Sequence, residues 1–445
     1  MKKKRFYIAF TALILLLCLI PSLGMLLPAQ EGEAGGNQAL SRAPALRDPE
    51  GRWNPKYLAQ VQDYAGDNFY LRQEMITAWS ALNARVFGSS ITEEVVLGAD
   101  GWLYFGDTLP DYAGLAPMTD REIFSAARNL SLMAEYCENQ GAEFVFTVAP
   151  NKNSLYPEHM PGLSAASAPS NAERLAEALE GQNVNYLDCF QLFRGQGEAL
   201  YFKTDSHWNG RGAALAADAV NEALGRFSSY FDGPFISEET HKGDLYDMLY
   251  PAGEGLEADQ VYSGELAIEY DVPIRSAENL TIMTHGGGEE SLLMFRDSFG
   301  NNLYPYLADS FNTALFSRSM PYRLDLVSQR EADFVVAELV ERNLRYLIQN
   351  VPVMPAPRAD ISEVSVVGGY SARFERTPAD NFPGYDLVTG VLSGEADPDS
   401  PVVVTANDGC YEAFLLEDNR LGLYLPENVE PLGVAYNCAA REAET

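Results

Sequence analysis

Histidine is scarce in this chain, with four in 445 residues, so any His beside a carboxylate is worth following. Cysteine is scarce too. Five are present, with no CxxC pair and no Cys/His cluster, which argues against a zinc site of the usual ligand spacing. Positive charge is in deficit: 31 basic residues face 63 acidic ones, a net charge of -32 at pH 7, spread along the chain rather than gathered in a tail. Such a surface repels polyanions, so nucleic acid and anionic lipid are poor partner guesses. No internal repeat is visible. With 47% hydrophobic residues the chain is not disordered over most of its length, and it is long enough for a large core and two or three domains.

The long apolar run is at the start. Lys2, Lys3, Lys4 and Arg5 precede an uncharged stretch from Phe6 to about Leu27, long enough to span a bilayer at about 1.5 Å per residue. The expectation for 1–30 is an uncleaved single-pass anchor at the cell membrane, with everything after it extracytoplasmic. A cleaved signal, giving a secreted protein, is the alternative. Residues 31–55 read as a linker rich in Gly, Pro and polar residues. From Tyr57 to Phe87, large residues at helical spacing, Met75, Trp79, Leu82 and Val86 among them, predict one or two helices packed on the main domain. Outside the apolar run, Cys410 with Cys438 is the favoured disulfide pair of three possible pairings.

The main domain is expected over 56–355. It opens on a hairpin, Val95 to Phe105 around Ala99-Asp100-Gly101. A helix over 119–140, a strand over 143–149, a helix over 171–180, a strand over 184–187 and a helix over 210–226 follow. The alternation resumes with a strand over 291–295, a helix over 303–311 and a strand over 333–338. Strands alternating with helices imply an α/β fold, a mostly parallel sheet covered on both faces, with ligands outside the carboxyl ends of the strands. Past Pro357 the runs become short and β-branched, at 364–367, 401–405 and 411–416, and predict a small β-rich C-terminal module over 356–445.

Two segments carry chemistry. Asp205-Ser206-His207-Trp208 puts a carboxylate two residues from an imidazole, and about ninety residues later an apolar strand runs into Arg296-Asp297-Ser298-Phe299-Gly300. A carboxylate, an imidazole and a hydroxyl on a strand-turn-helix join are the parts of an activated serine. The amides opening the next helix are then candidate oxyanion donors. The bland readings are a helix-capping Ser and a loop His satisfied locally. Asp-x-His also fits metal binding formally, with no further ligand spacing behind it. Asn151 and Lys152, ending a predicted strand, are candidates for substrate or oxyanion contact, as are Arg296 and Phe299 beside Ser298. Trp208 is a candidate sugar-stacking ring, with Trp102 and Tyr201 as weaker ones. His285-Gly286-Gly287-Gly288 imitates a lipase oxyanion motif but lies too close to Ser298, and Arg296 stands where a nucleophile elbow needs Gly. Glu338 is read as ending a strand and Arg342 as facing structure or solvent, with a place at the border of the site as the lesser alternative for either.

Taken with Gly98 to Phe105, Pro150-Asn151-Lys152, Tyr156-Pro157-Glu158 and Gly243-Asp244-Leu245, these motifs resemble the exported AlgX/AlgJ-like proteins and the related DHHW-type proteins. The resemblance spans roughly 60–345, with Ser206 where the DHHW pattern has a second His. It implies an SGNH hydrolase-like three-layer domain, with Ser298 as nucleophile, His207 as base and Asp205 as its orienter. The implied activity is O-acetyl transfer to an exported or cell-surface polysaccharide through a serine acyl-enzyme. It also implies a membrane-bound O-acyltransferase as acetyl supplier, and neither cofactor nor metal. An acetylesterase on the same glycans and a non-catalytic glycan-binding scaffold are the competing readings.

Overall fold

The computed structural model describes residues 2–24, 41–48, 50–160, 162–359, 372–394 and 396–436, the side chains of Lys2, Leu17, Cys18, Pro21 and Ser22 excepted. Its centre is a seven-stranded sheet. Across it run Asn185–Leu187, Glu143–Ala149, Phe334–Val340, Ser291–Phe295, Thr313–Ser317, Thr281–His285 and Glu269–Tyr270. The first five are mutually parallel, and the last two add antiparallel at one edge.

The apolar strands divide their side chains between two cores, as a period of two requires. Phe144, Phe146 and Val148 face one side with Leu293, Phe295, Val335, Ala337 and Leu339, under the helices Asp120–Asn139 and Asn171–Glu180. Val145 and Ala149 face the other with Leu292, Met294 and Val336, under Gly210–Ala223 and Gly300–Ser310. Thr119 with Glu122 and Ser170 with Glu173 form capping boxes that fix where two of these helices start. The strands Thr281–His285 and Thr313–Ser317, and the hairpin Phe235–His241 with Glu257–Tyr262, are elements that periodicity did not announce. The expected hairpin pairs Val95–Leu97 with Leu103–Phe105, and Asp100 takes a positive φ of 55° at its turn.

Two antiparallel sheets, of four and three strands, make the C-terminal part β-rich as expected. It shares core with the main sheet through Phe414, Leu416 and Tyr424. Asn129, on the Asp120–Asn139 helix, donates to Leu347 O and Leu415 O at 2.8 Å, and Leu415 N donates back to Asn129 Oδ1. Arg128 clasps Glu412 with two hydrogen bonds of 2.6 and 2.7 Å. The expected strand at 364–367 and Cys438, the expected partner of Cys410, lie outside the described residues.

At the other end the helices Tyr57–Asn68 and Arg72–Phe87 form where helical spacing places them, and the second touches the main domain through Thr77, which accepts from Ala252 N at 3.0 Å, but the large residues of the stripe are not the packed ones: Ser80 is the one buried residue of the two helices. The helix Lys2–Gly24 carries exposed apolar side chains from Phe6 to Leu23. Among the described residues no helix is long and apolar enough to cross a membrane.

Candidate active site at the carboxyl edge of the sheet

Ser298 stands three residues past the end of the Ser291–Phe295 strand, just before the Gly300–Ser310 helix. His207 and Asp205 sit in a tight loop rather than an extended strand. An isolated antiparallel bridge between Tyr201 and Trp208 closes the loop, and Asn209 accepts from Gly212 N at 3.0 Å to start the next helix. Gly212 has to be Gly, because a Cβ there would press on Leu200 O and the Trp208 side chain.

The loop brings Asp205 and His207 to Ser298. His207 Nε2 is 2.8 Å from Ser298 Oγ, and His207 Nδ1 is 2.7 Å from Asp205 Oδ1. Burial works against the charge on Asp205, but His207 and His241 outweigh it and hold the carboxyl well below the usual range. An ionised carboxylate only accepts, so Nδ1 carries the imidazole proton and Nε2 is left to accept from the serine hydroxyl. Burial also opposes the imidazolium, yet Asp205 and Asp244 raise the His207 pKa above its usual value, with Arg342 pulling the other way. Such a chain can take a proton from an attacking serine and return it to a leaving group.

His241 and Asp244, outside the sequence candidates, extend this network. Asp205 Oδ2 accepts from His241 Nε2 and from Asp244 N, each at 3.0 Å, and the His241 ring stacks on Phe202 with centroids 3.8 Å apart. Asp244 in turn accepts from Ser206 N at 2.8 Å and Ser206 Oγ at 2.5 Å. The ligating atoms of Asp205, His207 and Asp244 lie within 4.8 Å of one another, but these hydrogen bonds already engage both carboxylates. Arg342 holds its guanidinium 5.7 Å from the centre of the Phe299 ring and 5.3 Å from that of Phe105. His241 had no sequence signal beyond the rarity of histidine. Asp244 stood in the quoted Gly-Asp-Leu segment without a role.

The remaining candidates serve as supports. Lys152 is 4% exposed and donates to Phe202 O, Lys203 O and Asp205 O at 3.1, 3.0 and 2.5 Å, so it pins the Asp205 loop from behind rather than reaching a substrate. Burial lowers its pKa to about 8, against the pull of Asp205, Asp244 and Glu257. Trp208 is 1% exposed and donates Nε1 to Phe299 O at 3.0 Å, so it presents no face to a sugar; Trp102 and Tyr201 are buried as well. Arg296 is buried, with hydrogen bonds to Asn301 Oδ1 and Ala277 O that brace the helix start. The Phe299 ring packs against His207 at 4.7 Å, and its N–H donates to Asp297 Oδ1 at 2.9 Å, which diverts the first amide expected to face an oxyanion. Asn151 is buried, donates its N–H to Glu341 Oε2 at 2.8 Å, and has no hydrogen-bond partner for Oδ1 among the described residues. His285 pairs with Asp271 at the sheet edge, away from this network. Glu338 is buried and accepts from Asp297 N, and burial and Asp297 push its pKa well above the usual carboxylate range.

Residues 95–267 match the family model described as "SGNH hydrolase-like domain, acetyltransferase AlgX". Over these residues the chain is similar to an AlgX-type SGNH hydrolase-like domain. Among curated proteins, the chain is similar to "Probable alginate O-acetylase AlgJ" of Pseudomonas syringae pv. tomato, 28% identical over a 209-residue alignment that covers 44% of this chain and 51% of the relative. The protein of the same name from Pseudomonas fluorescens is 26% identical over 225 residues, 46% of this chain and 55% of the relative. The chain thus spans about half the length of the curated relatives it matches. Solved structures similar to this one include Bacillus cereus PatB1 with a sulfonyl adduct, at TM-score 0.45 and 16% identity, covering 56% of this chain and 95% of that one. The O-acetyltransferase domain of Pseudomonas putida AlgJ aligns at TM-score 0.37 and 18% identity, covering 57% and 93%.

Proposed function

We propose that this AlgX/AlgJ-like chain is a serine-dependent O-acetyltransferase acting on an exported or cell-surface polysaccharide. The observation that carries the reading is the continuous hydrogen-bonded run from Asp205 through His207 to Ser298 at the carboxyl edge of the sheet. Ser298 Oγ attacks the acetyl carbonyl of a donor while His207 Nε2 takes its proton. Collapse of the tetrahedral intermediate breaks the bond to the donor, which leaves with that proton. A sugar hydroxyl then gives its proton to His207 and attacks the acyl-serine, so acetyl moves to the glycan and Ser298 regains its hydrogen. Asp205 stabilises the imidazolium in both halves. The relatives named as alginate O-acetylases support a polysaccharide acceptor. A membrane-bound O-acyltransferase is the acetyl supplier in this reading.

The topology proposed with it is a single-pass anchor over 1–30, a linker over 31–55, the catalytic domain over 56–355 on the extracytoplasmic side, and the β-rich module over 356–445. Support for the anchor is the basic cluster before a helix whose described apolar side chains face outward. In the producing cell, Ser298→Ala at the chromosomal copy is expected to remove O-acetyl groups from the surface glycan, read by NMR of the purified polymer. Unchanged acetylation with normal amounts of the variant would contradict the reading.

A further inference from the structure

Met75, Trp79, Leu82 and Val86 fall at the i, i+4, i+7, i+11 spacing of a core-facing stripe, yet they are 41, 55, 48 and 61% exposed. Leu58, on the preceding helix, is 79% exposed, and Phe87, at the end of the Arg72–Phe87 helix, is 67% exposed. An apolar stripe that the fold leaves uncovered marks a contact surface.

Three observations identify the occupant. Residues 41–88 hold six basic and five acidic residues, so this segment is nearly neutral in a chain of net charge -32, and the acidic excess lies beyond it. Trp53, Tyr70 and Trp79 are exposed here, and such amphipathic rings favour the headgroup level of a bilayer. The segment also joins the N-terminal apolar helix: sixteen residues separate Gly24 from Ser41, whose N–H donates to Asp67 Oδ2 at 3.1 Å and whose carbonyl accepts from Asn68 Nδ2 at 2.9 Å. The junction between the two helices is therefore tied to the chain emerging from that helix.

We propose that the face formed by Met75, Trp79, Leu82, Val86 and Phe87 lies on the lipid surface next to the anchor. This rests on the membrane-anchor reading above. The near-neutral segment tolerates a headgroup surface that the acidic body is repelled from, so the charge distribution orients the domain with its helical pair toward the bilayer.

Tryptophan placement gives the test. Trp53 and Trp79 are 64 and 55% exposed, whereas Trp102 and Trp208 are 3 and 1% exposed. The full chain carrying Trp53→Phe is reconstituted into phosphatidylcholine vesicles with and without brominated acyl chains, and vesicle flotation is scored in parallel. The expected result is flotation together with bromolipid quenching of emission, which Trp79→Phe in the same background removes. Leu82→Glu with Val86→Glu should reduce the quenching while flotation and far-UV circular dichroism stay unchanged. Flotation without Trp79 quenching overturns the lipid-facing stripe and leaves the anchor standing. A Trp79 shielded from aqueous iodide but not quenched by bromolipid also overturns it, in favour of a protein partner or second copy. A full chain that does not float overturns the anchor reading, and the lipid surface with it.

Discussion

His207 Nε2 meets Ser298 Oγ at 2.8 Å across 91 residues of sequence, and the charges around that imidazole set the pH at which it acts. As a base His207 must be neutral, and Asp205 and Asp244 raise its pKa above 6.5 while Arg342 lowers it. Activity is therefore expected to rise with pH through a midpoint above 6.5. Asp244→Asn removes a negative charge and should move that limb to lower pH; Arg342→Met removes a positive one and should move it higher. Profiles of kcat/KM for acetyl-ester turnover check both signs, and a limb that ignores both changes contradicts the assignment of His207 as base.

Glu341 links stability to pH. Its carboxyl is buried and pushed up to about 8 by burial and by Asp111, while Ser154 and the Asn151 amide partly offset this. The folded state thus holds a proton that the unfolded chain releases near 4.5, so this group's stabilisation is complete below about 4.5 and is lost as pH rises through about 8. Tm is expected to fall between pH 5 and pH 8.5, a pH window of roughly that linkage, and Glu341→Gln should flatten the dependence.

Lys152→Met should act on both folding and rate. Three carbonyls lose their common donor, and a buried acceptor left unpaired costs on the order of 1–3 kcal/mol. A net loss of about 2–4 kcal/mol in urea unfolding is expected, with kcat reduced more than KM changes, because Asp205 is displaced. A variant as stable and active as the parent contradicts the pinning role.

The parts of this molecule that the sequence announced are those in which neighbours in the chain are neighbours in space. Asp205 and His207 are two residues apart, and Ser298 follows an apolar strand directly, so both motifs could be read linearly. The buried strands 143–149 and 334–340 were also visible, within a residue or two, as largely apolar runs interrupted by Thr147 and Glu338. His241 and Asp244 reach Asp205 only after the Gly210–Ala223 helix and the Phe235–His241 strand have turned the chain back, and no local pattern encodes that approach. Trp208 illustrates the opposite error. Its position beside the motif suggested a sugar platform, but its indole N–H is needed to hold Phe299 O inside the core. For Met75, Trp79, Leu82 and Val86, the helical period was legible, but whether a face meets core or something outside the chain depends on the whole fold. The two short strands Thr281–His285 and Thr313–Ser317 were missed because each holds a run of only two or three apolar residues between Thr, His and Ser, short of the four-residue apolar run that announced Ser291–Phe295.

The most direct test is to incubate the protein with an activated acetyl ester and locate the adduct by peptide mass spectrometry. Acetyl is expected on Ser298, absent in Ser298→Ala and strongly reduced in His207→Ala. An acetyl group on another residue, or labelling of the Ser298 peptide that survives His207→Ala undiminished, would contradict the acyl-enzyme at the centre of this account.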